Sequence, residues 1–188
     1  MDAAMNAVNQ TTTDILRDGS CVTIRPLLRQ DVELERRFIA ALSPESRRYR
    51  FLCSMATPTE ALLRQLTELD PQRDAALVAL VQDQGGMREI GVARFSGVPG
   101  GKAEIAVTVS DEWQNKGLGT LLMKRLIDLA RQRGIREFYS IDASGNRHMS
   151  ELAAHLGFQR KTDPEDATQV IFTLRLEPVP DSPDRQPG

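Results

Sequence analysis

The 188-residue sequence predicts an α/β (α+β) chain built on one mixed, mostly antiparallel central sheet with helices on both faces. Three observations carry that reading. Three strand-length runs between Ala75 and Val109 follow one another through tight turns, the pattern of an antiparallel meander. The last of them leads into a long amphipathic helix. Another strand-like run follows that helix, and a crossover of this kind places the new strand parallel to its neighbour.

Residues 1–20 are polar and aperiodic and are expected to form a flexible tail. A helix is predicted over Asp31–Leu42, with Val32, Leu34, Phe38, Ile39 and Leu42 as its apolar face. Ser43-Pro44 is a cap followed by proline, the start of a second helix. Within it, Arg47-Arg48-Tyr49-Arg50-Phe51-Leu52 interleaves three arginines with two aromatics. This segment is either a solvated face with Tyr49 and Phe51 in the core, or a recognition surface for an acidic partner or for phosphates. Thr57-Pro58-Thr59-Glu60 has the spacing of a capping box ahead of a helix over Ala61–Leu69.

Ala75–Val81 is an apolar run of strand length, ended by the turn Asp83-Gln84-Gly85-Gly86. Glu89–Val98 pairs back, and Pro99-Gly100-Gly101 turns the chain again. In the next strand Ile105, Val107 and Val109 alternate with Glu104, Ala106 and Thr108, a period of two. From Leu118 the period becomes helical, with Leu121, Leu122, Leu129 and Ala130 opposite Lys124, Arg125, Asp128 and Arg131. Glu137–Ile141 reads as a strand, Asn146–Leu156 as a helix, and Phe158–Lys161 with Gln169–Leu176 as a closing hairpin. Residues 177–188 are proline-rich and expected to be disordered. No linker or repeat interrupts residues 21–176, which form a single domain large enough to bury a core.

A net charge of −2 provides no field to recruit nucleic acid or an anionic membrane. No signal-peptide pattern or membrane-spanning run is present, so the expected address is the cytoplasm. Cys21 and Cys53, with His148 and His155, make neither a disulfide framework nor a metal-ligand spacing, and no metal is expected.

Chemistry is concentrated at the junction Gln114-Asn115-Lys116-Gly117-Leu118-Gly119-Thr120. The first turn of a helix has N–H groups without intrahelical partners, and the helix dipole adds positive potential there. Gly117 and Gly119 remove side chains that would block a phosphate, and Lys116 adds a cation. The alternative is that the glycines only shape a turn. A Rossmann dinucleotide site lacks its third glycine here, and a Walker A loop lacks its Gly-Lys-Ser/Thr.

The pattern Gln114-x-x-Gly117-x-Gly119, after a valine-rich strand and before a long helix, resembles the acyl-CoA-binding motif of the GNAT superfamily of N-acyltransferases. A second motif follows in order, Asn146-x-x-Met149-x-x-Leu152-x-x-x-Leu156-Gly157-Phe158. Val22-Thr23-Ile24-Arg25-Pro26-Leu27 is similar to the family's first strand, so the resemblance covers about Cys21 to Leu176. It implies a sheet whose central strand and post-helix strand splay apart to admit acetyl-CoA. By the same resemblance Gln114, Asn115, Lys116, Gly117, Leu118, Gly119 and Thr120 bind the CoA diphosphate. Val107, Thr108 and Val109 supply the strand along the pantetheine arm, and Asn146 contacts its other side. Asn146 is also explained as an ordinary helix N-cap.

Direct attack on the acyl donor needs a free amine. A lysine-like amine has a pKa of about 10.4, so exposing its free base costs roughly 4.6 kcal/mol at neutral pH. A general base is therefore useful, and Glu104 is the candidate catalytic residue, because it begins the donor strand beside the small Ala106 and polar Thr108. The competing reading is a solvated strand-end glutamate; Asp111 and Glu112 are the next carboxylates. Many family members carry a tyrosine after the second motif's leucine as a proposed acid for the leaving thiolate, and here Ala153 stands there. Water, an unprotonated thiolate, Ser150 or Tyr139 remain as alternatives.

Leu42-Ser43-Pro44-Glu45-Ser46-Arg47-Arg48-Tyr49-Arg50-Phe51 and Ala103-Glu104-Ile105-Ala106-Val107 resemble the bacterial protein lysine acetyltransferase (Pat-like) branch. That resemblance implies a protein lysine as acceptor and makes the glutamate the proposed base. The extra regulatory or synthetase-like domains common in that branch are absent from this sequence. A small-molecule amine acetyltransferase shares every donor feature, and a non-catalytic acyl-CoA-binding module would keep the glycines without needing Glu104.

Overall fold

A computed structural model describes residues 11–52 and 57–177. Eight strands form one sheet in the order β1-β2-β3-β4-β5-β6-β8-β7. They are β1 Thr12–Ile15, β2 Cys21–Pro26, β3 Asp74–Asp83, β4 Gly86–Val98, β5 Lys102–Val109, β6 Glu137–Ala143, β7 Gln159–Thr162 and β8 Gln169–Arg175. Every neighbouring pair is antiparallel except β5 and β6, which run parallel. The helices are α1 Val32–Ala41, α2 Pro44–Phe51, α3 Glu60–Thr67, α4 Leu118–Gln132 and α5 Arg147–Leu156. The mixed sheet of the sequence reading is present, with the meander β3-β4-β5 and the crossover through α4 in the expected places.

Two buried clusters lie on opposite faces of the sheet. Leu118, Leu122, Met123 and Leu126 of α4, each at most 1 % exposed, pack against Ile90, Ala93, Phe95, Ile105 and Phe138. Burying one such leucine contributes roughly 1.5–3 kcal/mol, so this face of α4 anchors the helix firmly. On the other face Phe38, Ile39 and Leu63 cover Ala76, Val78, Leu80 and Val92. Glu35 also lies in the stripe of α1 that was expected to be apolar, and it is buried there because Arg94 on β4 reaches it at 2.9 Å. A bulge in β4, where Ala79 faces Gly91 and Leu80 faces Glu89, turns Glu89 toward the same buried region.

The expected N-terminal tail is corrected over residues 12–20. Thr12–Ile15 pairs in register with Cys21–Ile24, and Leu16 is buried in the α4-side core. Arg125 of α4 binds both carboxylate oxygens of Asp14 at 2.8 and 2.7 Å, which fastens the hairpin to the helix. Four alternating residues are too few for periodicity to reveal a strand, and this one is specified by its partners. A smaller correction concerns α3. Its cap is Thr59, whose hydroxyl accepts from Leu62 N–H at 3.2 Å, so the capping-box reading from Thr57 fails. Cys53 and the rest of the two expected tails, residues 1–10 and 178–188, lie outside the described residues. Among the described residues no helix is long and apolar enough to cross a membrane.

Candidate active site

The sheet opens just beyond Glu104. β5 stays paired with β4 through Val109, and β6 stays paired with β8 through Ala143. The two inner strands meet only at Lys102–Glu137, Ala103–Phe138 and Glu104–Tyr139. Past that point they part into a cleft of about 810 Å³, within the size range of ligand sites. The cleft is walled by β5, the end of β6, the start of α4, one side of α5, and α2 with α3.

At the start of α4 the chain takes a left-handed conformation at Asn115 (φ 61°) and again at the N-cap Gly117 (φ 88°). Glycine occupies that conformation without the usual steric cost, and alternating hands of this kind turn successive N–H groups inward. Among the described residues the N–H groups of Gly117, Leu118, Gly119 and Thr120 have no hydrogen-bond acceptor. A Cβ on Gly119 would sit 3.5 Å from Leu152 Cδ2 and 3.7 Å from Val109 Cγ2, so this glycine faces the cleft between two of its walls. Gln114 donates from Nε2 to Val109 O at 3.2 Å and closes that end of the open strand edge.

Two of the sequence-derived residues are placed differently from their expected use. Lys116 pairs with Asp18 at 3.1 Å and lies over the Trp113 ring at 4.5 Å, outside the cleft lining. Leu118 has its side chain in the core and offers only its N–H. Val107, Thr108, Val109, Asn115 and Thr120 all line the cleft, and the buried Thr108 hydroxyl has no protein partner among the described residues. Asn146 lines the opposite wall and caps α5, accepting from Met149 N–H at 3.1 Å while Nδ2 donates to Asp142 at 3.4 Å. Both ends of its side chain are thereby engaged.

Glu104 is exposed, lines the cleft at the fork, and forms no ion pair or hydrogen bond through its carboxylate among the described residues. The other two carboxylates are committed elsewhere. Asp111 accepts from Ser43 N–H at 2.9 Å and from the Ser43 and Ser46 hydroxyls at 2.7 and 2.8 Å. Burial pushes its carboxyl up, but these hydrogen bonds outweigh that and hold it below the usual range. Glu112 pairs with Arg88.

The arginine-aromatic segment divides. Arg48 is exposed and stacks over Tyr49, and Arg47 donates to Ala40 O at 3.2 Å. Tyr49 and Arg50 line the cleft, with Tyr49 Oη 3.0 Å from Glu45 Oε1 and 3.3 Å from Gly145 O. Burial pulls the Arg50 guanidinium down to about 10, Arg94 adds to the fall, and Glu35, Glu104 and Asp142 oppose it. Neither Ser150 nor Tyr139 lines the cleft, and Ser150 donates its hydroxyl to Asn146 O at 3.0 Å. Burial, with a smaller contribution from Glu104, raises the Tyr139 phenol.

Sequence reasoning missed Arg17, Arg94 and Asp142, all of which line the cleft. Burial raises the Asp142 carboxyl against hydrogen bonds from Ser140 and Asn146. Its spacing of four residues from Asn146 was the available signal. Arg17 lay in a segment read as tail and gave none.

A parted sheet, a helix start with open N–H groups and a carboxylate at the fork together describe an acyl-CoA-dependent N-acetyltransferase. Residues 40–158 match the acetyltransferase (GNAT) family, and the chain belongs to it. An acetyltransferase of Pseudomonas aeruginosa, PA5475, is 46% identical over 162 residues, covering 86% of this chain and 87% of that protein. Acetyltransferase Pat of Mycolicibacterium smegmatis is 32% identical over 149 residues; the match takes in 76% of this chain but only 42% of the relative. The crystal structure of the GNAT domain of S. lividans PAT superposes with a TM-score of 0.80 at 26% identity, over 88% of this chain and 97% of that one. Within the family the chain is similar to these Pat proteins over their acetyltransferase part. GNAT enzymes use acetyl-CoA as donor and an amine as acceptor.

Proposed function

We propose that this acetyltransferase moves an acetyl group from acetyl-CoA to the side-chain amine of a protein lysine, with Glu104 as general base. The observation that carries the reading is the unengaged Glu104 carboxylate at the point where β5 and β6 separate. The donor fits the cleft chemically, because the N–H groups at the start of α4 lack acceptors and nothing bulky covers Gly119. In this reading Gln114, Asn115 and Gly117–Thr120 hold the diphosphate, largely through backbone N–H groups. Val107, Thr108 and Val109 run along the pantetheine arm, with Asn146 on the facing wall. Bound acetyl-CoA supplies the activated acetyl group.

Everything else falls to the chain's own residues. The open β5 edge and α5 orient the donor, and α2 with α3 wall the acceptor end and exclude water. Glu104 takes the proton that a lysine amine must lose, offsetting a cost of roughly 4.6 kcal/mol at neutral pH. A protein acceptor is supported by the likeness of Leu42–Phe51 and Ala103–Val107 to bacterial protein lysine acetyltransferases. The test is mass spectrometry of a cell extract incubated with the enzyme and isotopically labelled acetyl-CoA. Label on lysines of specific proteins is expected. Label confined to small amines would overturn the protein acceptor, and no enzyme-dependent label would overturn the reading altogether.

A further inference from the structure

The start of α4 has hydrogen-bond donors but lacks the cation that the sequence placed there. Lys116 is paired with Asp18, stacked on Trp113 and turned out of the cleft. A diphosphate seated on neutral N–H groups alone would carry its charge uncompensated. The cation that faces this turn comes instead from the N-terminal hairpin. Arg17 is exposed, lines the cleft, and among the described residues has no ion-pair or hydrogen-bond partner for its guanidinium. Its Nε, Cδ and Cγ lie 3.4, 3.6 and 3.6 Å from where a Cβ on Gly117 would stand. The side chain therefore lies against the N-cap residue itself, at ordinary contact distance.

Arg17 is also held in place before any ligand arrives. Its own N–H donates to Lys116 O at 3.4 Å. On one side of it Leu16 is buried in the core, and on the other Asp18 grips Lys116 at 3.1 Å. Further back, the β1–β2 pairing and the Arg125–Asp14 contacts fix the hairpin to α4. A guanidinium is a planar fork suited to two oxygens of a diphosphate, and pre-ordering its backbone lowers the entropy lost on binding.

We infer that Arg17 binds the diphosphate of the acyl donor and makes the N-terminal hairpin part of the donor site. The inference rests on the donor reading above and adds a residue and an element to it. Because the group is exposed, the effect is moderate and falls with ionic strength.

The experiment measures binding of acetyl-CoA and 3′-dephospho-acetyl-CoA by calorimetry, and turnover with acetyl-pantetheine, which has no phosphate. It uses the full chain and its Arg17→Ala and Arg17→Lys variants. Arg17→Ala is expected to weaken both CoA donors about three- to tenfold, less so at high salt. Arg17→Lys should recover part of the loss, and KM for acetyl-pantetheine should stay the same. Unchanged affinity in Arg17→Ala would overturn the inference. So would an equal loss on acetyl-pantetheine, which would indicate a structural role, or a loss that vanishes with the 3′-dephospho donor. Wild-type protein that bound no acetyl-CoA would sink the donor reading itself, and this inference with it.

Discussion

At the start of α4 the groups presented to the cleft are chiefly backbone N–H groups, set by two left-handed residues and one well-packed helix, with Arg17 beside them. At the other end they are side chains: Glu104 from β5, Arg94 from β4 and Arg50 from α2. The acceptor end depends on charges buried away from it. Arg94 donates to Glu35 at 2.9 Å and to Leu66 O at 2.8 Å, while both oxygens of the nearby Glu89 lack a partner. One guanidinium cannot neutralise two buried carboxylates. Burial first, and the charge of Glu35 second, push the Glu89 carboxyl well up from its ordinary range. The donor end is thus built cheaply from chain geometry, whereas the acceptor end is held by desolvated charge, at a cost in stability.

The largest expected effect separates the two ends by chemistry. Glu104→Gln keeps the shape but cannot take a proton, so kcat should fall by roughly 10²–10⁴ while acetyl-CoA affinity is retained. Near-wild-type kcat, under conditions where chemistry limits the rate, would move the base elsewhere; Asp111 and Glu112 are poor replacements because both are already paired.

Gly119→Val probes the donor end in reverse. Its Cβ makes only ordinary contacts with Leu152 and Val109, so the fold should survive. The branched side chain would stand in the cleft and weaken acetyl-CoA by at least about tenfold, about 1.4 kcal/mol. A folded variant with wild-type affinity in calorimetry would show that the donor does not use this turn.

The buried charge predicts a stability difference with a definite sign. Because its carboxyl is raised in the fold, the folded chain holds the Glu89 proton more tightly than the unfolded chain, so the contribution of Glu89 to stability falls as pH rises from the ordinary carboxylate range. Glu89→Gln mimics the protonated acid and should lose that slope. Its stability relative to the wild type should be lowest below the ordinary carboxylate range and should grow steadily as pH rises through that range toward pH 8. Urea midpoints with parallel pH dependence in the two proteins would show that Glu89 is charged in the fold.

The smallest effects divide the arginine segment. Arg50→Gln should raise the acceptor KM a few-fold and leave acetyl-CoA affinity nearly unchanged, because Arg50 lines the cleft near Glu104. Arg48→Gln, at an exposed position, should change nothing by more than about 0.5 kcal/mol. Equal acceptor kinetics for both variants would make the whole segment a solvated face.

The sequence by itself determined the element order from Cys21 onward, the parallel crossover and the glycine turn, because each follows from a period or a residue type within one short stretch. Gly117 and Gly119 are legible because backbone conformation is a local property. The sequence also pointed to Glu104, near the start of β5 on the same face as the small Ala106 and polar Thr108. Only the tertiary structure decided which cations serve the cleft. Lys116 is drawn off by Asp18 and Trp113, while Arg17 is delivered by a four-residue strand whose pairing, buried leucine and ion pairs all depend on residues far along the chain. Likewise the raised Glu89 carboxyl depends on its burial and on Glu35 and Arg94, 54 residues before it and five after it in the chain. Side-chain charge acts through space over several ångströms, and sequence spacing carries no measure of that distance until the chain has folded.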